Sequence, residues 1–134
     1  MKRVVVFGAC GHIGPFITRE LNQYYDLTLT DVVAHPDGDD TETVDIRDYA
    51  AVHRACAGQD AILNMCVIRN DPVLSWQVNA LGVENVSRAL VEHGIGRVLH
   101  IGPQFARAWY DHDFRVDDVP LAPGAGIYCL TKFM

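Results

Sequence analysis

The sequence predicts an α/β fold, a doubly wound parallel sheet in the strand order 3-2-1-4-5 with helices on both faces. Three observations carry that expectation. Short apolar, β-branched runs alternate with stretches whose apolar residues recur at helical spacing. The segments between successive runs are long enough for crossover helices, which parallel pairing requires. The first run ends in a glycine-spaced loop that opens a helix. Composition agrees: 134 residues, 49% apolar and 21% charged, suit one domain over 1–134 with its own core.

Val4 to Phe7 is unbroken β-branched and aromatic sequence, as a strand buried on both faces requires. Gly8, Gly11 and Gly14 follow, and Pro15 stands where a first helical turn has no use for an N–H. Phe16 to Tyr25 reads as the first helix and Leu27 to Thr30 as the second strand, ending in Asp31. Val33 to Thr41, with Pro36, Gly38 and three acids, is a loop. Thr43-Val44-Asp45 reads as a short third strand, Asp48 to Ala57 as a helix stopped by Gly58, and Ala61 to Val67 as the fourth strand. Pro72 to His93 reads as one long helix ended by Gly94, with an apolar stripe that includes Val78, Leu81, Val86 and Leu90. Arg97 to Ile101 is the fifth strand. With nothing paired beyond it, that strand is an open edge on which a homodimer could form. Gly102 to Gly126, rich in Pro, Gly and Asp, reads as a long loop of the active-site type.

The glycine spacing meets three physical needs of a dinucleotide pyrophosphate. Gly8 permits a sharp turn off the strand, Gly11 lets backbone approach a phosphate, and Gly14 lets helix and strand pack closely. Unpaired N–H groups from Ile13 to Phe16, Pro15 having none, then face the anion, and the helix dipole adds to the attraction. His12 and Ile13 therefore join Gly8, Gly11 and Gly14 as candidate cofactor contacts. Asp31, seventeen positions after Gly14, stands where a carboxylate would accept hydrogen bonds from the adenosine ribose hydroxyls. A 2′-phosphate about 4 Å from it would cost about 4 kcal/mol at a surface-like dielectric. No Lys or Arg between Arg19 and Arg47 offsets that repulsion, so the expected cofactor is NAD and not NADP.

Other classes are disfavoured. A net charge of −6 leaves no basic footprint for nucleic acid. The apolar N-terminal run breaks at Gly8, too early for a signal peptide, and no stretch is long enough to span a membrane. Cys10, Cys56, Cys66 and Cys129 are widely spaced and read as reduced thiols of a cytoplasmic protein. The six histidines show no metal spacing, and Asp111-His112-Asp113 reads as a solvated loop, so no metal is expected.

Tyr128-Cys-Leu-Thr-Lys132 places a phenol and an ammonium four residues apart on one helix face, after the fifth strand of a Rossmann-type fold. Together with the glycine loop, it resembles the short-chain dehydrogenase/reductase superfamily, specifically its extended branch of NAD-dependent epimerases and dehydratases. Asp45-Ile46-Arg47-Asp48 resembles that branch's adenine-contacting turn, and Val78 to Asn85 (VNALGVEN) resembles its central helix. Asn64-Met65-Cys66 occupies the place where the family backs the nicotinamide ribose. The resemblance implies that Asp45, Ile46, Asn64, Met65 and Cys66 contact cofactor. It implies that Tyr128 is the acid/base and that Lys132 holds the ribose hydroxyls while lowering the tyrosine pKa. A free phenol near 10 is otherwise too weak a base for alcohol oxidation at neutral pH. The implied substrate is a small hydroxyl-bearing molecule such as a nucleotide sugar.

Two departures stand out. The family's Ser or Thr after the fifth strand is replaced by Gly102-Pro103-Gln104, so either Gln104 donates an amide N–H there or the third catalytic group is missing. The resemblance also implies a sixth strand and a C-terminal region closing over the substrate. Ending two residues after Lys132, the chain reads as the N-terminal part of a longer protein, truncated just after the Tyr-x-x-x-Lys helix begins. Such a piece is expected to bind NAD weakly and to be inactive alone, with its short last helix held by packing only. The alternative is a non-catalytic NAD-binding sensor module.

Overall fold

The computed structural model describes residues 1–103 and 126–133. Among them is one five-stranded sheet in the order β3-β2-β1-β4-β5 with every pairing parallel, the doubly wound Rossmann-type arrangement. Gln104, and the loop around it from 104 to 125, lie outside the described residues. Strand β1 (Lys2–Phe7) is central. Its Val4 stands opposite Leu27 of β2 (Tyr25–Asp31) and opposite Ala61 of β4 (Ala61–Asn64). Strands β3 (Glu42–Thr43) and β5 (Val98–His100) form the edges.

Alternation along β1 feeds two cores. Val5 and Phe7 point into a cluster with Val52, Ala55 and Cys56 of α2 (Tyr49–Cys56) and Val86 and Ala89 of α4 (Gly82–Glu92). Val4 and Val6 point the other way, toward Leu63, Met65 and Ile17 of α1 (Gly14–Leu21). Burial on both faces explains the unbroken apolar run, at about 1.5–3 kcal/mol for each fully buried aliphatic or aromatic side chain. Asp48 starts α2 by accepting the Ala50 and Ala51 N–H groups at 2.9 and 3.3 Å.

Strand β3 covers Glu42–Thr43 and not Thr43 to Asp45, β5 covers Val98–His100 and not Arg97 to Ile101, and β2 and α1 begin two residues earlier than expected. Three further differences from the sequence expectation each have a physical reason. Helix α1 stops at Leu21 instead of continuing to Tyr25, because Tyr25 is drawn into the sheet opposite Lys2 and Tyr24 is exposed, so neither faces a helical core. Strand β4 ends at Asn64 instead of Val67, because after the Met65 N–H bonds the Phe7 carbonyl at 2.8 Å, the Asn64 side chain takes the Cys66 N–H at 3.1 Å. The long helix is not regular: α3 (Pro72–Ser75), capped by Asp71, passes into a π-helical segment (Trp76–Leu81) before α4. Helix α5 (Ile127–Phe133) packs against α3 and that segment.

Candidate active site

The carboxyl ends of β1, β2 and β4 converge on a cleft of about 340 Å³. Gly8, Gly11, Asp31, Asp45, Ile46, Met65 and Cys66 all line it. Gly8 has φ +80, and a Cβ there would meet the Cys66 nitrogen at 2.7 Å, so one glycine both makes the turn and admits the neighbouring strand's backbone. A Cβ on Gly14 would lie 2.1 Å from the Ala9 carbonyl oxygen, which fixes how closely α1 packs on the strand end. At Gly11 a Cβ would meet nothing nearer than the Gly8 oxygen at 3.5 Å. Packing does not demand that glycine; its bare outer face leaves room for a phosphate. His12 and Ile13 are exposed on the rim of the same loop.

Asp31 closes the loop from the far side. Its Oδ2 accepts the Cys10 N–H at 2.9 Å and its Oδ1 the Val32 N–H at 2.7 Å. Each oxygen keeps a lone pair for a ribose hydroxyl. The nearby cations are committed: Arg19 bonds Asp37 at 3.1 Å, and Arg47 bonds Asp45 at 2.6 Å and Gln77 at 3.2 Å. Hydrogen bonding from Arg47 holds the Asp45 carboxyl below its ordinary value. The turn itself is pinned by Asn85, whose Nδ2 donates to the Ile46 and Arg47 carbonyls at 2.9 and 3.2 Å.

The third wall is the chain leaving β4. Asn64 is fully buried and sits behind the cleft instead of lining it, its Oδ1 on the Cys66 amide and its Nδ2 3.2 Å from His100 Nδ1. Among the described residues, two side-chain hydrogen bonds tie helix α5 to the rest of the fold. Asn79 Nδ2 donates to Thr131 Oγ1 at 3.0 Å, and Lys132 Nζ donates to the Cys66 carbonyl at 2.6 Å. Lys132 spends one of three donors on that carbonyl and keeps two. Asn79 also grips both sides of Ile68, accepting its N–H at 2.9 Å and donating to its carbonyl at 2.7 Å. The Tyr-x-x-x-Lys pair is thereby seated on the wall that carries Cys66.

Burial holds the Lys132 ammonium below the usual lysine value; the Cys66 thiol opposes this and Arg69 adds to it. Burial pushes the Cys66 thiol up to about 12, so its contribution is a backbone carbonyl and not a nucleophile. His100 is held below the ordinary histidine value by burial and then by Lys132.

Four residues with a part in this geometry were not singled out from the sequence: Asn79, Asn85, His100 and Arg69. The two asparagines were readable in principle, as amides interrupting an apolar helical stripe between Val78 and Val86. Arg69 and His100 carry no such signal.

The profile of the NAD dependent epimerase/dehydratase family matches residues 4–133. A uronate dehydrogenase of Pseudomonas putida is 30% identical over 139 aligned residues, covering 98% of this chain and 52% of that protein. The crystal structure of uronate dehydrogenase from Agrobacterium tumefaciens matches with a TM-score of 0.83 at 29% identity, over 99% of this chain and 52% of that one. UDP-glucose 4-epimerase from Bifidobacterium longum, crystallised with NAD+ and UDP, shares the fold at 16% identity and a TM-score of 0.85, over 98% of this chain and 46% of that one. The chain thus spans about half the length of the proteins it matches. No described helix is long and apolar enough to cross a membrane.

Proposed function

From the premise that the chain belongs to the NAD dependent epimerase/dehydratase family, we propose that the protein is an NAD-dependent oxidoreductase acting on a hydroxyl of a carbohydrate, free or nucleotide-linked, and that these residues supply its cofactor-binding half. The uronate dehydrogenases of similar sequence support oxidation of a sugar hydroxyl over epimerisation or dehydration. The single observation carrying the reading is the 2.6 Å bond from Lys132 Nζ to the Cys66 carbonyl, which joins the Tyr-x-x-x-Lys helix to the wall of the glycine-loop cleft.

Bound NAD would supply the hydride acceptor. The chain's own residues do the rest. Amides of His12 and Ile13, beside the bare face of Gly11, receive the pyrophosphate, and Asp31 accepts the adenosine ribose hydroxyls. The Asp45-Ile46 turn flanks the adenine, and the Met65-Cys66 backbone, positioned by Asn64, closes the nicotinamide side. Lys132 directs its two remaining donors at the second ribose. Tyr128 takes the proton of the substrate hydroxyl. Gln104 is the candidate for orienting that hydroxyl, at the position Pro103 adjoins. With Arg19 and Arg47 already paired, Asp31 favours NAD over NADP.

Tyr128→Phe in the protein as it is encoded tests this. Sugar-dependent NAD reduction should fall by about a hundredfold or more while NAD affinity is unchanged. Undiminished turnover would overturn the assignment. A second reading, an NAD-binding module without catalysis, is favoured by Pro103 where the family places a hydroxyl. NAD binding with no turnover of any alcohol or sugar selects it.

A further inference from the structure

Arg69 stands outside the roles assigned so far. Its guanidinium Cζ lies 5.2 Å from the centroid of the Tyr128 ring. The backbone on either side of it is held by hydrogen bonds. The preceding residue, Ile68, is held by Asn79 on both its N–H and its carbonyl, and that carbonyl also accepts the Ser75 hydroxyl at 3.1 Å. Two residues further on, Asp71 caps α3 through the Leu74 N–H at 2.9 Å. Arg69 is exposed, and among the described residues it pairs with no carboxylate, whereas Arg19, Arg47 and Arg88 each hold one.

The placement is electrostatically unfavourable in isolation. Arg69 lies over the Tyr128 ring, Lys132 follows one helical turn later, and the two cations are close enough that Arg69 disfavours the charged form of Lys132. No part of the cofactor-binding reading uses Arg69: the pyrophosphate belongs to the glycine loop and the riboses to Asp31 and Lys132. An anion arriving beside Tyr128 would relieve the repulsion. The aromatic face underneath keeps the planar fork presented, as bidentate recognition of a carboxylate needs.

Resting on the function proposed above, we infer that Arg69 is a specificity-determining residue that pairs with a carboxylate on the substrate, making a sugar acid the preferred substrate class. The anion and the reacting hydroxyl must belong to one small molecule, because the guanidinium and the phenol belong to one contact pair. A sugar ring carrying its own carboxylate meets that condition.

The test uses the protein as it is encoded, loaded with NADH so that no turnover occurs, and titrated calorimetrically with D-glucuronate, D-glucose and UDP-glucose. D-Glucuronate and D-glucose differ only in carboxylate against hydroxymethyl. D-Glucuronate should bind about tenfold or more tighter than D-glucose. Arg69→Gln should abolish that difference, and Arg69→Lys should restore part of it, with NADH affinity unchanged throughout. Glucuronate affinity unaltered by Arg69→Gln, with NADH still bound, overturns the inference and leaves the proposed function standing. A loss confined to UDP-glucose assigns the anion to a diphosphate and overturns it equally. Failure of the unsubstituted protein to bind NADH overturns the proposed function, and this inference with it.

Discussion

The glycine loop lines the cleft and the seat of α5 adjoins its wall at Cys66, but the two are built by different means. The loop is positioned mainly by backbone, through a positive φ at Gly8 and close approaches at Gly8 and Gly14 that leave no room for a Cβ, with one side-chain bond from the Cys10 N–H to Asp31. The seat is positioned by side chains reaching across the chain, Asn79 to Thr131 over 52 residues and Lys132 to the Cys66 carbonyl over 66. A backbone-built site tolerates almost no change at its few defining positions, because backbone cannot yield. A side-chain-built site loses its contacts one at a time.

That contrast sets the largest expected effect. Gly14→Ala places a methyl 2.1 Å from the Ala9 carbonyl oxygen, and neither the strand end nor the helix can retreat without disturbing the core beneath Val6 and Ile17. We expect a loss of about 3 kcal/mol or more in urea denaturation, together with loss of measurable NAD binding. Gly11→Ala, which meets only the Gly8 oxygen at 3.5 Å, should leave stability within about 0.5 kcal/mol while still weakening NAD binding. Equal stability losses for the two would break the distinction between a packing glycine and a binding glycine.

The side-chain-built half should fail by degrees. Asn79→Leu removes the acceptor of the Ile68 N–H, one of the two side-chain donors to its carbonyl, and the donor to the Thr131 hydroxyl, an expected loss of about 2–4 kcal/mol. Thr131→Val removes one of those bonds and should cost about 1 kcal/mol. Hydrogen exchange checks where the loss falls. Amides of α5 and of residues 67–71 should exchange faster in both variants, with those around α1 unchanged. Uniform acceleration would show that the two halves are not separately built.

The same contrast explains what the sequence made legible. The turn at Gly8 and the contact of Gly14 with Ala9 are local, even though Gly8 also admits Cys66, so the glycine spacing, the strand before it and Asp31 at the end of β2 could all be read in order. The sheet order followed, because alternating strands and helices leave few other topologies. Tyr128 and Lys132 were visible as a pair at helical spacing; Asn79 stood out only as an amide in an apolar stripe, and nothing in the chain said that it or the Cys66 carbonyl would hold them. The π-helical segment escaped for a related reason: Val78, Leu81 and Val86 fit an ordinary helical stripe, and the wider turn coincides with Asn79's tertiary contacts. Arg69 lies in irregular chain between β4 and α3, where no periodicity points to Tyr128. Gln104 lies outside the described residues.

The smallest expected effect concerns pH. His100 is held below the ordinary histidine value, first by burial and then by the Lys132 charge, while in the unfolded chain it titrates near the ordinary value of about 6.5. Between those two values the unfolded chain binds more protons than the folded one, so stability rises with pH there. The contribution of His100 is fully present above about 6.5 and is lost as pH falls through the folded value. The geometry gives this a mechanism. Asn64 Nδ2 lies 3.2 Å from His100 Nδ1 and donates to it only while that nitrogen keeps its lone pair; a proton there leaves a fully buried amide short of a partner. His100→Gln offers an oxygen acceptor that does not titrate. Urea denaturation at steps from pH 8 to pH 5 should therefore give a shallower fall in stability for His100→Gln than for the parent, with the two alike at pH 8. Because Asn64 orients the Cys66 amide and Lys132 bonds the Cys66 carbonyl, the acid loss in the parent should appear in hydrogen exchange at the β4 end and α5 before the glycine loop. Parallel pH profiles for the two proteins would place the acid sensitivity elsewhere and remove titration from the features that separate the two halves of the cleft.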